Sequence, residues 1–193
     1  MKRSGELKRT TNETDVFVSL NLDGEGKSQI DTGIGFFDHM LELFAAHANF
    51  DLTIKCKGDL KVDGHHTVED VGIVLGKLIN QILGDKKGIK RYGEKTVPMD
   101  EALVRAVLDV SGRPFLACDL NCKGRIGDFD GELAEEFFRA LSSYGLITMH
   151  INKLAGKNTH HIIEAAFKAV ARALSEALKV VSDKIPSSKG VIE

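Results

Sequence analysis

At 193 residues the chain is long enough for one sizeable core or for two small similar halves. A formal net charge of −2 leaves no basic field for nucleic acid or an anionic membrane surface, and no apolar run is long enough for a membrane span or signal segment. The three cysteines, Cys56, Cys118 and Cys122, make no paired framework and read as reduced thiols of a cytoplasmic protein, while the lack of Trp gives little for stacking on bases.

In chain order, Thr14 to Leu22 alternates, with Val16, Val18, Leu20 and Leu22 on one face and Asp15, Phe17, Ser19 and Asn21 on the other, which predicts a half-buried strand. Asp23-Gly24-Glu25-Gly26 predicts a turn into a second strand. Asp31-Thr32-Gly33-Ile34-Gly35 reads as a flexible loop opening a helix with Phe37, Met40, Leu41, Phe44 and Ala45 at three- and four-residue spacing and His39 in its first turn. Leu52, Ile54 and Cys56 mark another strand. Asp63 is the expected N-cap of a long helix carrying Val71, Val74, Leu75, Leu78, Ile79 and Ile82, ended by Gly84.

The rest of the chain replays this order. Ala102 to Val110 and Phe115 to Leu120 read as strands around the turn Ser111-Gly112-Arg113-Pro114, and a helix over 132–144 carries Leu133, Phe137, Phe138 and Leu141. A strand with Leu146, Thr148 and His150 follows, then a helix capped by Asn158 with Ile163, Ala166, Phe167, Val170, Leu174, Leu178 and Val181 on its apolar face. The unit strand, strand, helix, strand, helix therefore occurs twice. A period of about 95 residues is too long for a solenoid and predicts duplicated halves, about 9–84 and 93–183, within one α+β domain spanning 1–193.

Each half also carries a His-His-x-x-Glu array: His65-His66-Thr67-Val68-Glu69 and His160-His161-Ile162-Ile163-Glu164. On a helix either histidine can share a face with the carboxylate three or four residues on, but adjacent histidines point about 100° apart. One ion cannot easily take both, so each histidine of a pair is expected to serve a different metal, or one ion to draw ligands from several elements or chains. His39 precedes His65 by 26 residues and Glu136 precedes His160 by 24, so each half adds a ligand from its first helix. The donor set is then His39, His65, His66, Glu69, Glu136, His160, His161 and Glu164. Imidazole and carboxylate without thiolate favour Mn, Fe or Zn, with octahedral mixed sites leaning to Mn. A cation near helix N-termini opposes the dipole, which Glu69 and Glu164, expected in the first turns, would offset. Asp38 and Asp70 are candidates to orient the histidines. His47 and His150 read as packed or hydrogen-bonded rather than ligating, although His47 lies two turns beyond His39 on the same helix.

Taken together, Thr32-Gly33-Ile34-Gly35-Phe36-Phe37-Asp38-His39-Met40-Leu41, Asp63-Gly64-His65-His66-Thr67-Val68-Glu69-Asp70, Pro98-Met99-Asp100-Glu101-Ala102, Asp109-Val110-Ser111-Gly112-Arg113-Pro114 and His160-His161-Ile162-Ile163-Glu164 resemble the imidazoleglycerol-phosphate dehydratases of histidine biosynthesis, in unchanged order from about Arg9 to the C-terminal Ser-Lys-Gly. The family commonly has His where this chain has Glu136. The resemblance implies a ribosomal S5 domain 2-like fold with two sheets packed against paired helices, and a cytoplasmic homo-oligomeric shell of 24 subunits with intersubunit active sites. It implies a hydro-lyase that converts D-erythro-imidazole glycerol phosphate to imidazole acetol phosphate using two Mn2+ per site, with Fe or Zn as other compatible divalent metals. It also implies that Glu13, Glu69 and Glu164 handle protons, and that Arg91, Arg113, Ser187, Ser188 and Lys189 bind the phosphate, with His47 beside the substrate and the tail 186–193 ordered over the pocket. A metal-storage shell and a dinuclear metallohydrolase are the alternatives that the His/Glu arrays alone leave open.

Overall fold

The alternation over Thr14 to Leu22 buries Val16, Val18 and Leu20 and leaves their neighbours half-exposed, as a strand with one face on the core must. In the computed structural model, which describes residues 3–192, the first half contains β1 (Ser4–Thr10), β2 (Thr14–Asn21), β3 (Ser28–Asp31), α1 (Gly35–Ala48), β4 (Asp51–Gly58) and α2 (His65–Leu83). The second contains β5 (Tyr92–Met99), β6 (Ala102–Asp109), β7 (Phe115–Asp119), the short pair β8 (Arg125–Ile126) and β9 (Phe129–Asp130), α3 (Leu133–Gly145), β10 (Thr148–Ala155) and α4 (Thr159–Ala177). The two four-stranded sheets have the same order, β1-β2-β4-β3 and β5-β6-β10-β7. The duplicated α+β organisation stands, with one strand more in each four-stranded sheet than the hydrophobic pattern predicts and the short pair β8–β9 besides. β1 and β5 are edge strands: β1 carries Leu7 as its one large apolar residue, and β5 holds Gly93 and Pro98, residues that weaken a strand signal.

Two expected hairpins do not form. β3 pairs in parallel with β4, and β7 in parallel with β10, so β4 and β10 lie between the strands that the turns were expected to join. A helix links each parallel pair, the usual solution for parallel neighbours. The turn after β2 is instead fastened to β4: the Asp51 carboxylate accepts the backbone N–H of Glu25 at 2.9 Å and of Lys27 at 3.2 Å. The last expected helix also stops early, at Ala177, and leaves Val181 exposed beyond it.

Helix faces bury as their spacing predicts, and the helices of the two halves share one core. Phe137 and Phe138 of α3 meet Phe167 of α4 at centroid distances of 5.1 and 4.8 Å, and Phe37 of α1 meets Phe137 at 5.4 Å. α2 and α3 touch backbone to backbone: a methyl at Gly72 would lie 2.8 Å from Ala140 Cβ and Phe137 O, and one at Gly76 2.8 Å from Gly145 N and Leu141 O. Gly76→Ala should therefore destabilise despite alanine's better helix propensity. Overpacking of about 2 kcal/mol corresponds to a Tm about 4–8 °C lower in a chain of this size, read by calorimetry, and a Tm at or above wild type would refute the close packing.

In the last turn of α4, Glu176 bridges Lys90 and Lys95, tying the helix end to β5, and these lysines hold its carboxyl down at about 2. Because the folded value lies below the unfolded one, this contribution is present above the ordinary carboxylate range and is lost as pH falls towards about 2. Glu176→Gln should cost roughly 1 kcal/mol at neutral pH, reduced by the partial exposure of both lysines. The gap between the two thermal melts should close on acidification, and a gap constant with pH would contradict the pairing. Among the described residues no helix is long and apolar enough to cross a membrane.

Candidate functional site

The N-terminal ends of all four helices gather at one end of the molecule. A methyl at Gly64, the N-cap of α2, would lie 3.0 Å from Ile34 at the start of α1 and 3.3 Å from Leu133 at the start of α3. The Phe36 ring of α1 lies 5.0 Å from His160 at the start of α4 and 5.2 Å from Phe129 of β9, so the β8–β9 hairpin fills the middle. Four positive dipole ends thus point the same way. Asp38 stands in the first turn of α1 and Glu135 and Glu136 in that of α3; contrary to expectation the first turns of α2 and α4 hold no acid, and Glu69 and Glu164 stand one turn further in. The capping also differs between halves. Asn158 caps α4 as expected, accepting the N–H of His160 at 2.9 Å, whereas Asp63 lies one residue outside α2 and accepts the N–H of His65 at 2.8 Å.

Within each array the rings stand nearly perpendicular, at 87° for His65 and His66 and 78° for His160 and His161, so neighbouring histidines do address different space. The histidine of each pair that faces the carboxylate of its own helix, the inner one in that sense, is the more exposed of the two. His65 Nε2 lies 3.9 Å from Glu69, and His160 Nε2 3.2 Å from Glu164. Glu164 is buried, with Lys168 Nζ donating to it at 2.6 Å; burial pushes its carboxyl up, but Lys168 and His160 outweigh this and hold it below the usual range.

The outer histidines have carboxylate partners from elsewhere. His66 Nδ1 lies 3.1 Å from Asp59, with Nε2 3.8 Å from Glu13; His161 Nδ1 lies 2.7 Å from Glu101, with Nε2 3.7 Å from Asp100. Asp59 and Glu101 raise the two imidazoles above their usual range, while His161 and the N–H groups of Asn158 and Lys157 hold Glu101 down at about 2. A carboxylate on Nδ1 directs the proton there and leaves the Nε2 lone pair outward, the arrangement of a metal-binding histidine.

The orienting roles expected of Asp38 and Asp70 are filled by other residues. Asp38 accepts from the Thr32 N–H at 2.9 Å, closing the loop before α1, and Asp70 is buried against Arg9 and Thr14. Asp70 thereby pins the β1–β2 turn to α2 and sets Glu13 beside His66. Asp59 and Glu101 escape sequence reasoning because a carboxylate in a turn reads as a solvated charge, even where, as for Glu101, it lies within Pro98-Met99-Asp100-Glu101-Ala102.

His39 lies 3.8 Å from Glu42, and Glu136 lies 3.6 Å from Arg139. Glu136 and His65 line a common cavity of about 500 Å³ with Arg125, Asp128 and Asp130. His47 is half-buried, and burial together with Lys168 and Arg172 keeps its imidazole below the usual range. His150 is exposed on β10, its ring 5.7 Å from that of Phe115. Among the described residues, no three His, Cys, Asp or Glu side chains of the single chain form a group that could hold a metal ion. Among the described residues the expected donors meet at most in pairs, His65 with Glu69 and His160 with Glu164. Burial pushes the thiols of Cys56, Cys118 and Cys122 up to about 11, 12 and 11, so they stay protonated at neutral pH.

A second concavity, of about 460 Å³, is lined by Arg91, Tyr92, Ser111, Arg113, Ser187, Ser188, Lys189, Val191 and Ile192. Arg91 sits at φ 76° and donates to both Asp109 oxygens, at 2.7 and 3.1 Å, and to the Pro186 carbonyl at 2.9 Å. One guanidinium thus ties β6 to the tail. Arg113 stands in the turn at Gly112, whose φ is 81°; the Arg113 carbonyl accepts from Thr148 Oγ1 at 3.1 Å. The tail turns back on itself, with the Lys189 N–H donating to Ser187 Oγ at 3.2 Å and the Gly190 N–H to Ser187 O at 3.1 Å. The five residues that the resemblance assigns to phosphate binding therefore line one cavity together with Ser111 and Tyr92, and Asp109 holds Arg91 at its edge.

Residues 32–174 match the family model described as imidazoleglycerol-phosphate dehydratase. The imidazoleglycerol-phosphate dehydratase of Thermoanaerobacter pseudethanolicus is 58% identical over 98% of this chain and 100% of its own, and that of Acetivibrio thermocellus is 57% identical over 100% of both. Among solved structures, the imidazoleglycerol-phosphate dehydratase from Staphylococcus aureus superposes with a TM-score of 0.84 at 44% identity, covering 92% of this chain and 99% of its own. An IGPD from Pyrococcus furiosus, solved in complex with (S)-C348, gives 0.84 at 38% identity over 96% and 99%.

Proposed function

The chain belongs to the imidazoleglycerol-phosphate dehydratase family, hydro-lyases of histidine biosynthesis, and on that premise we propose that it converts D-erythro-imidazole glycerol phosphate to imidazole acetol phosphate with two Mn2+ per active site. The observation that carries the reading is the pocket built from Arg91, Arg113 and the Ser187–Lys189 turn, three cations and two hydroxyls drawn from three distant parts of the chain. A metal-storage shell has no use for it. A dinuclear hydrolase would need it, but among the described residues no separate group of carboxylates is placed to hold its metals.

The donors fit manganese in type: imidazole nitrogens, two of them already presented through Nε2, and carboxylate oxygens, with no ionised thiol. His39, His65, His66, Glu69, Glu136, His160, His161 and Glu164 are the residues that would hold it, and their pairwise placement on one chain favours sites completed between subunits, as in the expected 24-subunit shell. Bound manganese supplies Lewis acidity and a template for the imidazole ring.

The protein's own residues do the rest. From substrate to product, the carbon bearing the ring loses its hydroxyl and the next carbon its hydrogen, and the resulting enol becomes the ketone. The cationic pocket holds the phosphate and so fixes the carbon chain. Glu13, 55% exposed and 3.8 Å from His66, is free to accept the carbon-bound proton, which leaves with the hydroxyl as water. Glu164, held ionised by Lys168 and His160, and Glu69 are acceptors for the enol hydroxyl proton as the ring-bearing carbon takes one up. His47, on the α1 face towards Lys168, adds a neutral hydrogen-bonding group beside the substrate. The decisive experiment supplies purified protein with Mn2+ and imidazole glycerol phosphate and follows the acetol product. Intact manganese binding without product would sink the dehydratase reading.

A further inference from the structure

The residue just before the second strand is glutamate in both halves: Glu13 precedes Thr14 of β2, and Glu101 precedes Ala102 of β6. Each reaches the outer histidine of its own half, but the halves use them differently. In the first, the loop before α2 brings Asp59 to His66 Nδ1 at 3.1 Å, and Glu13 is left facing Nε2 at 3.8 Å. In the second, the connection into α4 is Gly156-Lys157-Asn158, with no carboxylate. Glu101 itself takes His161 Nδ1, at 2.7 Å, and its other oxygen accepts the N–H groups of Lys157 at 3.2 Å and Asn158 at 2.8 Å. The exposed Asp100 is left facing Nε2 at 3.7 Å. Each outer imidazole therefore has one carboxylate on Nδ1 and a second near Nε2.

We propose that Glu101 is the positioning residue for His161, fixing the Nδ1–H tautomer so that Nε2 is presented to metal, and that it is the duplicated counterpart of Glu13 committed to architecture instead of proton transfer. Three N–H donors occupy its two oxygens, and any swing towards substrate would strip the loop that caps α4. Glu13, by contrast, has His66 as its one charged partner among the described residues. The assignment rests on reading His161 as a manganese ligand.

Glu101→Gln separates the possibilities sharply. The amide oxygen is needed by the two backbone N–H groups, so the amide NH2 must face Nδ1, which then becomes an acceptor; the imidazole proton moves to Nε2 and blocks the ligating lone pair. Manganese binding to the whole assembled protein is measured by the loss of the free-Mn2+ paramagnetic resonance signal, with wild type and Glu13→Gln in parallel. Glu101→Gln should bind Mn2+ about 10–100-fold more weakly and regain turnover when Mn2+ is raised in proportion. Glu13→Gln should bind as wild type does and regain nothing. Wild-type affinity in Glu101→Gln overturns the assignment, as does turnover that stays lost at saturating Mn2+. If Glu101→Gln does not fold, Glu101→Asp serves, since its shorter arm cannot span the two amides and Nδ1 together; unchanged affinity there also overturns it. Wild-type protein that takes up no Mn2+ overturns the manganese reading, and this assignment with it.

Discussion

Glu13→Gln should lower kcat by about 10²–10⁴-fold while leaving Mn2+ uptake and thermal stability at wild-type levels. The side chain projects from a turn that is held without it: Thr11 Oγ1 accepts the N–H groups of Glu13 and Thr14, and Thr14 and Arg9 anchor the turn on buried Asp70. The glutamine is isosteric, so the fold does not register the change. What is lost is a carboxylate able to take a proton. Steady-state kinetics on the Mn2+-loaded protein decide the matter. A variant with wild-type kcat would remove Glu13 from the chemistry, and one that lost manganese would make it a ligand.

Arg91→Ala should be the most damaging change in the phosphate pocket. It removes a cation from the cavity, cuts the tie between Asp109 and the Pro186 carbonyl, and leaves Asp109 a partly buried carboxylate without its forked partner. A loss of about 10²–10³ in kcat/KM, some 3 kcal/mol, is expected, most of it as raised KM. The tail should become sensitive to trypsin at Lys184 and Lys189. Arg91→Lys keeps the charge without the planar fork and should fall between the two. Unchanged KM, or a tail as protected as in wild type, would contradict this reading of Arg91.

Much of this was legible in the chain, and what was not has a common cause. Periodic apolar spacing is a local signal, so all four helices and the inner strands β2, β4 and β6 could be read directly, as could the duplication. β10 instead turns to the core the face opposite to that expected: Leu146 caps α3, His150 is exposed, and Met149 and Ile151 are the buried residues. β1 and β5 were not, because an edge strand buries too little to impose alternation. The pairing of β3 with β4 is decided by the intervening helix, which turn residues do not report. At the site, the arrays and Asn158 announced themselves, but Asp59 and Glu101 acquire meaning only when a loop is folded against a ring nitrogen. Nor does spacing tell which of the expected donors meet, because proximity between elements leaves no trace in it; among the described residues no three of them form a group that could hold a metal ion.

The glycine seam between α2 and α3 bears on partner choice. α1 and α3 both end before a left-handed residue, Asn49 and Leu146, so Ala48 and Leu43 stand on α1 where Gly145 and Ala140 stand on α3. An α2 helix seeking the α1 of another first half would drive Gly72 and Gly76 against those larger side chains. The seam closes only between unlike halves. The difference in side-chain size at these positions makes the two halves of one chain each other's better-fitting partners.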